Sequence, residues 1–302
     1  MTPSPPPFAG ACERAHGGFD EVRCTRCHAT AGRHQYRCRL WDRRAAIAPG
    51  YDAGVGRAML PPRKESPTAS EPLLKALREA FAHARDLDGS LEERLASYSN
   101  AIRQLHPAYA QAVDDLVIRL SENDAGLAAP QPGEPMPPFL LPDETGRLVS
   151  LEELVSAGPV AVMFHRGHWC PWCRISLDAL ARANDDLVRR QGGVVVITPE
   201  RAQFATAFKA DARSPFPILT DVDNGYALLL NLAIWVGPDL EHLFIDLGRV
   251  LPDYQGNDAW MLPIPAAFVV DRDSIVRYRF LNPDFRHRVA IEQLVAALHD
   301  AR

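Results

Sequence analysis

The sequence predicts an α/β fold, in which a central sheet carries helices on both faces. Two unbroken apolar runs, 159–164 and 194–198, are each short enough to be a strand buried on both sides, and a helical pattern separates them. This strand–helix–strand order implies a parallel pair joined by a right-handed crossover. A hairpin pattern at 267–280 and a closing helical pattern at 291–298 complete the βαβ…ββα order of a layered α/β domain.

The most informative stretch is 164–173, Phe-His-Arg-Gly-His-Trp-Cys-Pro-Trp-Cys, which joins the first apolar run to the following helix. Cys170 is therefore expected where a buried strand ends and a helix begins. Backbone N–H groups and the helix dipole at that point favour a thiolate over a thiol. Pro171 suits the first helical turn, where its missing N–H costs nothing. Cys173 follows one turn later, close enough for a disulfide with Cys170.

A Cys-x-x-Cys spacing alone is shared by redox centres, zinc sites and chance pairs of buried cysteines. Zinc needs about four ligands, and no second Cys/His pair lies near this one in the sequence. The strand-to-helix junction inside a βαβ pattern therefore favours a redox function. Because attack on a peroxide or a disulfide needs an exposed thiolate of lowered pKa, we predict Cys170 as the exposed nucleophile and Cys173 as the resolving cysteine.

A group of residues matches the pattern of one known family: Phe164, Arg166-Gly167, Trp169-Cys170-Pro171, Cys173, Pro138-Phe139, Leu141, Asp143, Leu262 to Ala266, and Phe268 to Asp273. They resemble the thioredoxin-like superfamily and, more closely, the peroxiredoxin-like branch of the alkyl hydroperoxide reductase/thiol-specific antioxidant (AhpC/TSA) family. The resemblance implies a thioredoxin-like domain over residues 133–302. It also implies an antioxidant enzyme that reduces hydroperoxides through a Cys170 sulfenate and a Cys170–Cys173 disulfide, with thioredoxin or another thiol as the reductant.

Four further site residues are expected around the cysteines. Pro265 lies in a stretch that resembles the loop facing the cysteine pair in thioredoxin-like folds, so we expect it to be cis beside Cys170. Trp169 also resembles thioredoxin, and Trp172 either rims a substrate surface or packs inward. Arg166 is either a guanidinium that stabilises charge on a peroxide or a solvated surface side chain. The candidates for substrate binding are thus Arg166, Trp169, Trp172 and Pro265, and we expect no cofactor and no metal.

The chain departs from the related patterns at two positions. Peroxiredoxins carry Thr or Ser three residues before the reactive cysteine, where this chain has Gly167, and the buried carboxylate of thioredoxin aligns with Phe164. His165 and His168 flank the site as candidate bases, or as solvated or hydrogen-bonded histidines. A protein disulfide reductase and a non-catalytic redox sensor therefore stand as alternatives to the peroxidase.

Residues 70–126 form a predicted helical prefix. Ser70-Glu71-Pro72 starts one helix, a capping box at Ser90–Glu93 starts the next, and His106-Pro107 separates it from a third. The apolar spacing fits either a helical hairpin folded against its own domain or a dimerisation surface, which would make the protein a homodimer. Residues 251–263 are expected to be a loop, either a lid over the cysteines or an insertion.

Residues 1–69 show no apolar period that lasts two turns. We predict a disordered tail, or an over-extended reading frame whose true start is Met59. The alternatives are a zinc site and a haem site. The first would use Cys24 and Cys27 with two of Cys12, His34 and Cys38. The second, a c-type haem attachment at 24–28, is disfavoured because it normally requires export.

The overall charge and hydropathy exclude two classes of partner. The net charge of −5 offers no basic footprint for nucleic acid. No apolar run approaches the ~18–20 residues that span a bilayer. Because the N-terminus shows no charged-then-apolar export signal, we expect a cytoplasmic protein, in which a Cys-x-x-Cys is more plausibly catalytic than a permanent crosslink.

Overall fold

The computed structural model describes residues 69–188 and 193–301. The predicted tail, its alternative start at Met59 and its zinc and haem candidates lie outside these residues. The helices are α1 (Glu71–Asp86), α2 (Leu91–Leu105), α3 (Pro107–Glu122), α4 (Leu151–Ala157), α5 (Pro171–Arg182), α6 (Asn184–Val188), α7 (Ala202–Asp211), α8 (Gly225–Leu229), α9 (Pro238–Asp246), α10 (Leu251–Gln255) and α11 (Ile291–Asp300). The strands are β1 (Leu140–Pro142), β2 (Leu148–Ser150), β3 (Val160–Phe164), β4 (Gly193–Thr198), β5 (Ile218–Thr220), β6 (Ala233–Trp235), β7 (Met261–Pro263), β8 (Ala266–Val270) and β9 (Val276–Leu281).

Within the described residues, the central sheet has five strands in the order β5-β4-β3-β8-β9. β3, β4 and β5 run parallel, whereas β8 is antiparallel to both β3 and β9. β3 is buried on both faces, because Ala161 and Met163 join one apolar cluster while Val162 and Phe164 join the other. Helices cover each face, α5 and α11 on the first and α4 and α8 on the second. The predicted thioredoxin-like α/β fold with a mixed central sheet is confirmed.

The three N-terminal helices begin at the predicted signals. The Ser90 N–H donates to the Glu93 carboxylate at 2.7 Å, and the Ser90 hydroxyl accepts the Glu93 N–H at 3.2 Å, which completes the predicted capping box. His106 ends α2 and caps α3, because its Nδ1 accepts the Tyr109 N–H at 3.2 Å. Each helix end thereby satisfies backbone donors that would otherwise lack partners.

These helices pack against the cysteine-bearing helix α5. The Trp172 indole N–H donates to the Ser99 hydroxyl at 2.9 Å, and the Tyr98 ring meets the Trp172 ring edge-on at 4.8 Å. Arg94, which is buried, bonds to Asp178 at 2.6 Å. The hairpin alternative is therefore confirmed, while a homodimer and the domain boundaries at 69, 126 and 133 stay predictions. Every helix in the described segments is too short or too polar to cross a membrane.

Two expectations for the second half of the chain are wrong. Residues 251–263 are not a free loop, because Leu251 and Trp260 are buried and the segment contains α10 and β7, which pairs with β6. Pro265 is not cis, since the described residues contain no cis peptide bond. The Ile264 N–H bonds to the Leu232 carbonyl at 2.8 Å, and Ile264 and Pro265 connect β7 to β8. The bond before Pro265 is thus in the trans form that is usual for proline.

The docking of α2 on α5 can be tested by Asp178→Ala. We expect the free energy of unfolding to fall by about 3 kcal/mol, because Arg94 would stay buried without its carboxylate. The matched control is Asp86→Ala, which removes an exposed carboxylate that also bonds an arginine, and it should cost less than about 1 kcal/mol. Urea unfolding measures both changes. Equally small losses in the two variants would contradict a tightly held α2–α5 contact.

Candidate active site

The cysteine pair lies on the connection between β3 and α5. Phe164 ends β3, Cys170 is the N-cap residue of α5, and Pro171 is the first residue of that helix. The Trp169 indole N–H donates to the Arg166 carbonyl at 3.2 Å and closes the connecting loop. The strand-to-helix junction predicted for the first cysteine is confirmed.

Cys170 and Cys173 are free thiols, and both are fully buried. The backbone N–H of Arg166 donates to Cys173 Sγ at 3.3 Å, and Nη2 of Arg288 lies 3.6 Å from the same sulfur. The expected exposure of Cys170 is wrong, because this residue belongs to a buried cluster that includes Trp172 and side chains of α2 and α3. An oxidant must therefore reach the sulfur through a narrow path or a local opening.

The two sulfurs have opposite pKa shifts. Burial acts to raise the pKa of Cys170, but the hydrogen bond with the Cys173 thiol and the charges of Arg166 and Arg288 outweigh it and lower this pKa to about 5. Burial, together with the hydrogen bond to Cys170, raises the pKa of Cys173. At neutral pH the pair therefore consists of a Cys170 thiolate and a Cys173 thiol, the states that a nucleophile and a resolving cysteine need.

The predicted aromatic and arginine residues meet around this pair. Arg166 is only 3% exposed, and its guanidinium lies over the rings of Phe285 and Trp169, 3.8 and 4.9 Å from their centroids. The alternative of a solvated surface Arg166 is wrong. Trp172 is also buried and contacts Tyr98, so it packs inward instead of forming a rim.

Sequence reasoning missed several polar residues of this site. Arg288 follows β9, Arg249 follows α9, and Tyr98 and Tyr109 come from the helical prefix. The charges of Arg249 and of the Cys170 thiolate act on both hydroxyls, and burial raises the pKa of Tyr98 to about 12. The Tyr109 hydroxyl is buried with no hydrogen-bond partner in the described residues. No local motif marks these residues, since only the tertiary fold brings them together.

Sequence reasoning also missed Glu200, a buried acidic residue that follows β4. Its Oε2 accepts the His168 N–H at 2.7 Å, whereas its Oε1 is buried without a partner in the described residues. Burial raises the pKa of Glu200 to about 8, and the Cys170 charge acts in the same direction. Its only signal in the sequence is an acidic residue just after a buried strand.

The two histidines that precede the cysteine pair, His165 and His168, have different surroundings. His165 is fully buried, and burial lowers its pKa to about 3, so its ring is neutral near pH 7. The His168 ring bonds to Asp211 at 2.6 Å, and Arg174 bonds the same carboxylate at 2.8 Å. The His168 ring and Arg174 thus share the Asp211 carboxylate, while the His168 backbone N–H bonds to the Glu200 carboxyl.

Two cavities adjoin the loop. One, of about 190 Å³, is lined by Trp169 and Pro171 together with α1, Tyr98 and Arg249. It is an opening beside the two residues that flank Cys170. The other, of about 10 Å³, is lined by Arg166, Pro265 and residues of α3 and β7. Pro265 therefore adjoins Arg166, while the larger opening lies against Trp169.

Comparison with known proteins finds a family match for the segment that contains the cysteine pair. The AhpC/TSA family model matches residues 132–279. Peroxidoxin BcpB from Mycobacterium tuberculosis is 20% identical over 57% of this chain and 99% of its own, with a TM-score of 0.45. Peroxiredoxin 6 from Arenicola marina is 15% identical over 56% of this chain and 71% of its own, with a TM-score of 0.45.

A third similar structure is a putative thiol:disulfide interchange protein DsbE from Chlorobium tepidum, which is 20% identical over 56% of this chain and 99% of its own, with a TM-score of 0.36. No curated protein matches the chain. The family match includes the cysteine pair, β3 and β8, and it begins after the three N-terminal helices. The segment 132–279 of this chain thus belongs to the AhpC/TSA family.

Proposed function

We propose that this protein is a thiol peroxidase that reduces hydroperoxides with Cys170 and regenerates through Cys173. The observation that carries the proposal is the buried position of Cys170 at the start of α5, where the Cys173 thiol and the guanidinium groups of Arg166 and Arg288 lower its pKa. In the first step, the thiolate attacks the terminal peroxide oxygen. The S–O bond forms, the O–O bond breaks, and the sulfur becomes a sulfenic acid while an alkoxide leaves and takes up a proton to depart as an alcohol.

The second step uses the neighbouring thiol. Cys173 attacks the Cys170 sulfenic acid, which forms the disulfide and releases water. Two thiol equivalents from thioredoxin or another thiol reductant then reduce the disulfide and are themselves oxidised. The cysteines lie one helical turn apart, and both are fully buried. Local opening of the start of α5 is therefore part of the proposed cycle, because a protein reductant must touch a sulfur.

Charge in the site supports peroxide cleavage. As the O–O bond breaks, negative charge develops on the leaving oxygen, and donors that are already in place stabilise it most effectively in a dry site. The Arg166 guanidinium is buried, and its Nε and Nη1 have no hydrogen-bond partner in the described residues. These donors supply the activation that the missing hydroxyl residue at Gly167 does not.

Burial also bears on the choice between a hydroperoxide and a protein disulfide as the substrate. A hydroperoxide is small enough to approach a covered sulfur, whereas a protein disulfide needs an open rim around the nucleophile. Cys170 is fully buried, and Trp169 and Trp172 beside it are buried as well. In the closed, reduced site the geometry therefore favours a small oxidant over a protein disulfide, and the local opening is needed only afterwards, when the reductant reaches the Cys170–Cys173 disulfide.

The deciding assay compares hydrogen peroxide and an alkyl hydroperoxide with insulin disulfides, using thioredoxin and its reductase as the electron donor. We expect peroxide reduction well above the background of Cys170→Ser and little insulin reduction. Cys173→Ser should lose turnover with thioredoxin but retain one round of peroxide reduction. Peroxide reduction no faster than the Cys170→Ser background, with brisk insulin reduction, would instead make the protein a disulfide reductase.

The assignment of roles predicts selective alkylation of the native protein. A small alkylating reagent should label Cys170 before Cys173 near neutral pH, because only the first is a thiolate there. The labelling rate should rise as the pH rises through about 5 and then level off, since the lowered pKa of Cys170 lies there. Peptide mass spectrometry identifies the labelled residue. Earlier labelling of Cys173 would reverse the roles.

The role of the buried guanidinium predicts a large effect of Arg166→Met. We expect the rate of Cys170 oxidation by peroxide to fall about 100-fold, the usual cost of removing one stabilising donor, and the pKa of Cys170 to rise. Arg166→Lys should recover part of this loss because it retains the charge. Arg174→Met is the matched control, since Arg174 pairs with Asp211. Similar rates in the Arg166 and Arg174 variants would remove Arg166 from the mechanism.

A further inference from the structure

We infer that Glu200 holds the proton that Cys170 gives up and delivers it to the leaving oxygen of the peroxide. The inference rests on the proposed peroxidase function and adds to it a proton donor that comes from outside the cysteine motif. Glu200 follows β4, which lies beside β3 in the sheet, so the carboxyl stands next to the loop that leads to Cys170.

Glu200 contacts the backbone of the loop that connects β3 to Cys170. Its Oε2 accepts the His168 N–H at 2.7 Å, and the Trp169 N–H also bonds this carboxyl. Both amides lie within two residues of Cys170. The other oxygen, Oε1, is buried and has no partner in the described residues, so it is free to carry and to transfer a proton.

Gly167 provides an independent observation of the same contact. Its φ is +133°, a backbone region that favours glycine, and a Cβ on this residue would lie 2.4 Å from the Glu200 carboxyl carbon. Only a residue without a side chain lets the carboxyl reach the loop this closely. Glycine here, where a hydroxyl residue is expected from the family resemblance, thus makes room for the carboxyl.

The surrounding charges determine where the proton lies. Within the described residues, the charge of Cys170 acts on Glu200, and Glu200 in turn acts on Tyr254 of α10. Neither is a cation, and the neighbouring Arg201 bonds instead to the Asp253 carbonyl. A buried carboxylate next to a thiolate would carry a second unpaired charge, which burial disfavours strongly. In the resting site the sulfur is therefore charged and the carboxyl is neutral.

Transfer of the Glu200 proton keeps the number of protons balanced in each step of the cycle. When the Cys170 thiolate attacks the hydroperoxide, the S–O bond forms, the O–O bond breaks, and the leaving alkoxide takes the Glu200 proton and departs as an alcohol. The Glu200 carboxylate next accepts the Cys173 proton as that sulfur attacks the sulfenic acid, and returns it to the departing hydroxide, which leaves as water. Reduction of the disulfide by two thiols brings two protons, one for Cys173 and one for Glu200.

Glu200→Gln tests this role because the amide retains the hydrogen bond from His168 but donates no acidic proton. We expect single-turnover oxidation of Cys170 by cumene hydroperoxide to slow about 100-fold, within the range of general acid catalysis. Alkylation of Cys170 needs no proton donor and should change less than about 2-fold, as should oxidation by peracetic acid, whose leaving carboxylate needs no proton. The matched control is Glu92→Gln, an exposed glutamate of α2.

The pH profile gives a second readout. In the wild-type chain, the rate with cumene hydroperoxide should fall as the pH rises through about 8, where Glu200 loses its proton, and this limb should be absent in Glu200→Gln. Alkylation slowed as much as peroxide oxidation would show a merely structural role. An unchanged peroxide rate in Glu200→Gln would also overturn the inference.

An infrared difference spectrum tests whether Glu200 is protonated, independently of any peroxidase activity. The wild-type chain should show the carbonyl band of a protonated carboxylic acid near neutral pH. The band should be lost as the pH rises through about 8 and should be absent in Glu200→Gln. If the wild-type chain reduces no hydroperoxide, the proposed function fails, and this band still decides whether Glu200 stores the proton. Absence of the band in the wild-type spectrum would overturn the inference in either case.

Discussion

The site depends on one interaction, the stabilisation of a negative charge on a fully buried Cys170. Burying an unpaired charge costs several kcal/mol, and a buried sulfur would otherwise remain a neutral thiol. The compensation comes from the Cys173 thiol and from the guanidinium groups of Arg166 and Arg288. Arg166 in turn is held between the rings of Trp169 and Phe285. The negative charge on Cys170 is therefore stabilised by three features together: the loop geometry, the aromatic packing and the Cys-x-x-Cys spacing.

The helical segment α1–α3 contributes to this environment although it lies outside the residues matched by the family model. Tyr98 and Ser99 contact Trp172, and Arg94 bonds to Asp178 on the same helix. These contacts exclude water from the start of α5. A lower local dielectric strengthens both the attraction between thiolate and guanidinium and the effect of each donor on a peroxide. The segment also lines the larger opening beside Trp169.

Sequence alone predicted what local patterns encode and missed what long-range packing decides. The apolar run 160–164 and the proline after Cys170 mark a buried strand and a helix start, so the strand, the helix and the junction were all predicted. Short strands such as β6 and β7 were missed, because three residues carry no readable alternation. Arg166 was misjudged and Arg288 and Glu200 were missed because such residues are usually exposed. Tertiary contacts bury Arg166 and Glu200 and bring the half-buried Arg288 to the Cys173 sulfur.

The central claim is that Cys170 is a thiolate at neutral pH inside a buried site. Ultraviolet absorbance of the thiolate, titrated in the full chain and in Cys170→Ser, tests this claim without any substrate. We expect a difference between the two titrations with a midpoint at about 5, where the pKa of Cys170 lies. A midpoint at or above about 8.5, the value of an ordinary cysteine, would contradict it.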